Sequence, residues 1–173
     1  GTVLSSITAG IYQIISKVTF SLDEDTINNI RILKFTAYPP GNNYNDLVIN
    51  EIMYAPSTGE PEWVELYNRT SQPINLKKWR CGDISTLVTI TNNDVFVQPF
   101  SFIVLSRDSS IRNFYPHLRN FLVFNLPALN NNGDAVVLKD SLSVLIDSLS
   151  FMPDWGGSSG GRSLERISVN SPS

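Results

Sequence analysis

The chain has 173 residues, 42% apolar, 10% aromatic and 17% charged, with a formal charge of -3. This is ordinary globular usage for about one domain, and such a chain buries roughly two-thirds of its unfolded surface without a metal or disulfide. Thirteen basic against sixteen acidic side chains argue against nucleic acid, the single Cys81 excludes an internal disulfide, and the single His117 excludes the common zinc-enzyme ligand sets.

In chain order, Tyr12, Ile14, Val18 and Phe20 alternate with Gln13, Lys17 and Thr19, which predicts a half-buried strand. Asp23 to Asn29 reads as a polar turn, and 30–38 as the returning strand. A lone hairpin is marginal in water. Residues 1–40 therefore dock on the rest of this chain, on a second copy, or on the remainder of a preceding domain. The cluster Pro39-Pro40-Gly41-Asn42-Asn43 leads into a linker at 41–46.

From Leu47 onward short strands recur at the spacing of a sandwich or barrel. They fall at 47–54, 62–67, 86–91, 102–106, 121–124, 134–138, 144–151 and 162–167, with a tail at 169–173. Asn132-Gly133 marks a tight turn. A short helix is expected from an Asp108-Ser109-Ser110 cap to Phe114, with Pro116 stopping it. No strand–helix alternation is present, so the class is all-β.

No apolar run reaches the ~18 residues of a membrane-spanning helix. The start, Gly1-Thr2-Val3-Leu4, has neither the charged nor the long apolar segment of a secretory signal. Its opening on strand-like sequence without methionine reads as a piece of a longer polypeptide.

Residues 47–168 resemble a lamin tail domain of bacterial type. The matching pieces come in order: Leu47-Val48-Ile49-Asn50-Glu51-Ile52-Met53-Tyr54, Glu62-Trp63-Val64-Glu65-Leu66-Tyr67-Asn68, Pro73-Ile74-Asn75-Leu76 and Trp79. Leu126-Pro127, Leu129 to Asp134, Val136-Val137-Leu138, Ile146-Asp147-Ser148, Trp155-Gly156-Gly157 and Gly161-Arg162-Ser163-Leu164-Glu165-Arg166 complete the series. Two departures stand out: Lys77-Lys78 where a small turn residue is usual, and Cys81 where an apolar one is common. Residues 1–40 resemble, over a shorter stretch, the C-terminal end of a bacterial adhesion module of the CARDB kind. The resemblance implies an immunoglobulin-like β-sandwich with an extra N-terminal hairpin.

Side-chain alternation supports that architecture. Val64 and Leu66 share one face of their strand, and Trp63, Glu65 and Tyr67 the other. Segments 102–105 and 136–138 are apolar on both faces and belong in central strands. Gly156-Gly157 and Gly160-Gly161 predict a loop permitting close backbone approach.

Four groups could carry chemistry. Glu51, Glu62, Glu65 and Asp83 could act as acid and base or hold a divalent cation. Glu62 and Glu65, three apart, point to opposite faces, and the favoured reading pairs these glutamates with Arg162 or Arg166, as the family pattern implies. Asp23, Asp25, Asn28 and Asn29 suggest a calcium loop, but EF-hand spacing is missing and a polar hairpin tip is favoured. His117 and Cys81 lack the motifs of a triad or thiol nucleophile. Among the aromatics, Trp79 and Trp155 are assigned to the core, while Trp63 with Tyr67 could stack on a sugar.

The expectation is therefore a non-enzymatic binding or structural module of a larger secreted or cell-surface bacterial protein. It would need no cofactor and no metal, and would bind through Trp63, Glu65, Tyr67, Glu51, Glu62 and Arg162. Its partners would be another protein, neighbouring domains, a glycan, or a second copy through the hairpin. The alternative is a carbohydrate-binding or metal-dependent accessory domain of an extracellular hydrolase or nuclease.

Overall fold

The computed structural model describes residues 10–22, 24–37, 42–155 and 160–171. The chain divides into two compact units, one ending at Asn42 and one beginning at Asn43.

In the first unit β1 (Gly10–Lys17) pairs antiparallel with β2 (Ile30–Ala37), residue for residue from Gly10–Ala37 to Lys17–Ile30. Opposed residues share a face, so Tyr12 stacks on Phe35 at 5.7 Å and Ile14 lies beside Leu33. Ile15 and Ile32 meet on the other side. These four aliphatic side chains remain 51–61% exposed. The half-burial expected from alternation is thus not met, because a two-stranded ribbon has no second layer of its own. At its tip, Asp25 caps a single 3-10 turn, Oδ1 accepting from the Ile27 N–H at 3.1 Å and Oδ2 from Asn28 at 3.4 Å. Asp23 of the proposed calcium loop lies outside the described residues.

The second unit contains β3 (Leu47–Met53), β4 (Trp63–Asn68), β5 (Ile74–Asn75), β6 (Arg80–Gly82), β7 (Leu87–Thr89) and β8 (Phe96–Val97). β9 (Phe102–Ser106), α1 (Ile111–Phe114), β10 (Phe121–Val123), β11 (Asp134–Lys139), β12 (Leu145–Phe151) and β13 (Leu164–Glu165) follow. One sheet has the order β10-β9-β4-β3-β13 and the other β12-β11-β6-β7, with β5-β8 as a small third ladder. Alternation sends Leu47, Ile49, Val64, Leu66, Ile103 and Leu105 from the first sheet into a core shared with Trp79, Cys81, Val136, Leu138 and Ile146 from the second. β9 and β11 are interior strands, as their two-sided apolar character requires.

β5, β6 and β8 were not anticipated, since runs of two or three residues show no periodicity. β10 runs parallel to β9. Parallel neighbours need a crossover, and residues 107–120 supply one that folds over the outer face of the sheet. Its single helical turn drives Ile111 into a second apolar cluster with Met53, Trp63 and Val104. The turn starts without a side-chain bond from Ser110; Asp108 Oδ1 instead accepts the Ser110 N–H at 2.7 Å.

Two turns use special backbone. Lys78 has φ +61° in the turn that returns the Trp79 N–H to the Leu76 carbonyl, which is where the family carries a small residue. At Gly82 a Cβ would sit 2.0 Å from the Thr86 carbonyl oxygen, so only glycine allows that close approach.

Trp155, assigned to the core from sequence, is 60% exposed. Phe151 is the last side chain of β12 to point inward, and its ring, 4.7 Å from that of Tyr54, fills that end of the core. Trp155 lies past the turn that follows.

Candidate functional site

Two polar constellations emerge, one buried and one on the outer face of the five-stranded sheet. The buried one joins the layers. Asp147 on β12 is fully buried, forms a 3.1 Å ion pair with Arg166, and accepts the Ile49 N–H of β3 at 2.7 Å. Arg166 also donates to the carbonyls of Ile49 at 3.1 Å and Ser171 at 2.9 Å. Arg69 donates to the carbonyls of Val169 and Ser171. Residues 169–171, read from sequence as part of a tail, are therefore tied into the sandwich.

The outer constellation follows from strand register. Glu165 on β13 opposes Glu51 on β3, and Glu51 opposes Glu65 on β4, so three carboxylates form a row across three strands. A bulge between Ile49 and Glu51 turns Asn50 toward this row, where its Nδ2 donates to Glu65 Oε1 at 2.9 Å. Burial raises the Glu65 carboxyl above the usual range; the Asn50 bond opposes this, and the charges of Glu51 and Glu165 reinforce it. Further along the same face Tyr67 meets Phe102 with ring centres 4.5 Å apart, and Phe102 stays 41% exposed.

The remaining candidates are dispersed. Trp63 shares this face but is covered by the 107–120 crossover, packed edge-on to Tyr115 at 5.7 Å, so the Trp63–Tyr67 stacking platform does not form. Burial and a 2.6 Å bond to Glu60 push the Tyr115 hydroxyl up to about 12, leaving it a neutral donor. Glu62 precedes β4, pairs with Arg107 at 2.8 Å and accepts the Leu129 N–H at 3.2 Å. Burial still raises its carboxyl against those two partners. Asp83 belongs to the β6–β7 turn on the opposite sheet; the Ser85 hydroxyl and the Ser85 and Thr86 N–H groups hold its carboxyl low.

The expected pairing of the glutamates with Arg162 or Arg166 is therefore corrected. Arg107 takes Glu62, Arg166 takes Asp147, and Arg162 is exposed. The cause is register, which places Arg166 beyond the end of β13 over the sheet-to-sheet seam. Among the described residues no three His, Cys, Asp or Glu side chains group to hold a metal ion. Cys81 is buried in the core, which pushes its thiol up to about 12, and His117 is exposed on the crossover.

Sequence reasoning missed Asn50, Phe102 and Glu165 as members of the face, and Asp147 as the seam carboxylate. Phe102 was accessible from alternation. The others depend on which strands become neighbours.

Two stacked, mainly antiparallel sheets that share this core define an immunoglobulin-like β-sandwich. The Lamin Tail Domain family model matches residues 40–152, and the chain belongs to that family of non-catalytic, immunoglobulin-like domains. No curated protein matches the sequence.

Proposed function

We propose that this chain is a non-catalytic binding or positioning module of a larger secreted or cell-surface bacterial protein. The carrying observation is that the buried Asp147 and Arg166 are spent on holding the layers together, while the half-buried Glu51, Glu65 and Tyr67 and the exposed Phe102 are gathered on one sheet face. A face of mixed carboxylate and aromatic character suits recognition of a protein surface. The bare aliphatic side chains of the β1–β2 ribbon support a further reading: it is the closing edge of a preceding CARDB-like module.

The test compares the parent polypeptide with and without residues 43–173. The expected result is loss of a co-purifying protein, or a changed spacing of the flanking domains in small-angle scattering. Unchanged partners, with a profile altered only by the missing mass, would sink the reading.

A further inference from the structure

The outer face of the five-stranded sheet is covered at one end and partly open beyond it, where Glu51, Glu65 and Tyr67 are half-buried and Glu165 and Phe102 are exposed. Residues 107–120 bury Trp63 on β4 and Val104 on β9, so their cover reaches the flank of Glu65, which Val104 opposes. There the row Glu165–Glu51–Glu65 begins, followed by Tyr67 and Phe102.

Neighbouring strands lie about 4.8 Å apart, so the three carboxylates span roughly 10 Å. Like charges directly opposite one another destabilise a sheet, and among the described residues none of the three forms an ion pair. A second observation points the same way. Asn50 is 2% exposed; it spends its amide nitrogen on Glu65, and its Oδ1 has no hydrogen-bond partner. A buried acceptor left unpaired beside uncompensated carboxylates is costly, and donors arriving from outside would satisfy both.

We propose that this partly open face receives a basic, extended segment of a partner protein. Two of its lysine or arginine side chains lie over Glu165, Glu51 and Glu65, and an apolar side chain rests on Tyr67 and Phe102. An extended chain repeats side chains on one face about every 6.6 Å, so cations two residues apart fit within the carboxylate row. The complementarity is of charge and shape: anions in line, then an aromatic shelf. This deepens the reading of the chain as a binding module and depends on it.

The probe is a peptide of about eight residues alternating lysine with valine, titrated into the intact chain and followed by NMR shifts. Its counterpart with glutamate for lysine is the control. Binding should shift Glu51, Glu65, Tyr67 and Phe102, weaken as salt rises, and fall at least about tenfold in the Glu51→Lys/Glu65→Lys variant. The Glu51→Gln/Glu65→Gln variant removes the repulsion, should fold at least as well, and should show an intermediate loss.

No binding overturns the proposal, as does equal binding by the glutamate counterpart. Full displacement of the peptide by millimolar calcium, with the same residues shifting, assigns the row to a cation instead. A native partner retained by the lysine variant also removes this surface, while leaving the module reading intact.

Discussion

β1 and β2 pair over eight residues each, a longer ladder than the six- and seven-residue strands β3, β4, β11 and β12 achieve. Yet Ile14, Ile15, Ile32 and Leu33 stay more than half exposed, whereas Ile49, Val64, Leu66 and Leu138 are wholly buried. The aliphatic content is similar, and the contrast is a second layer. Backbone ladders satisfy N–H and C=O groups, but their net contribution is modest; apolar area leaves water only when another sheet lies across it. The sandwich adds a polar staple at the seam, where Asp147 and Arg166 occupy backbone groups that β3 and β12 do not give each other.

The sharpest way to break this contrast is Asp147→Ala. It removes the carboxylate that faces the buried Arg166 charge and leaves the Ile49 N–H without the oxygen it donates to, so urea unfolding should show a loss of about 3–5 kcal/mol. A loss under about 1 kcal/mol would mean the staple is replaceable. Gly82→Ala comes next. Its methyl group would press on the Thr86 carbonyl, and a cost of about 1–3 kcal/mol is expected from thermal unfolding; an unchanged midpoint refutes the close approach.

Glu65→Gln works in the other direction. Folding raises this carboxyl above its unfolded value, so Glu65 favours the native state only while protonated and loses that contribution as pH rises through the folded pKa. At pH 7 the glutamine variant should gain about 0.5 kcal/mol, and the gain should vanish in acid below the ordinary glutamate range. A gain that persists there points to packing instead of charge. The smallest effect is expected in the ribbon: Ile15→Ser should leave the unfolding free energy of the sandwich unchanged within about 0.5 kcal/mol, read from tryptophan fluorescence, since Trp63, Trp79 and Trp155 all belong to the second unit. A larger shift means that the ribbon's aliphatic face is coupled to the sandwich.

The candidate face was legible in part. Alternation along 63–67 put Trp63, Glu65 and Tyr67 together, and β4 confirms that set. Burial of Trp63 was not readable, because its cover comes from a crossover over forty residues downstream. Grouping Glu51 and Glu65 with Glu62 and Asp83 followed proximity in sequence; register kept the first two, sent Glu62 to Arg107 and left Asp83 on the far sheet. Glu165 joined them from a strand over a hundred residues away. The surprise at Trp155 has a similar origin, since an aromatic type says nothing about whether its strand has already ended.

Local chemistry determined what local chemistry can: the all-β class, the interior character of 102–105 and 136–138, the turn at Gly133 and the order of the family's pieces. These rest on interactions within a few residues, where a period of two and the φ preferences of glycine act directly. Tertiary structure decided which strands became neighbours, what covered each face and which charges met. Those outcomes depend on contacts between residues far apart in the chain, and a one-residue bulge at Asn50 suffices to set which carboxylates stand side by side.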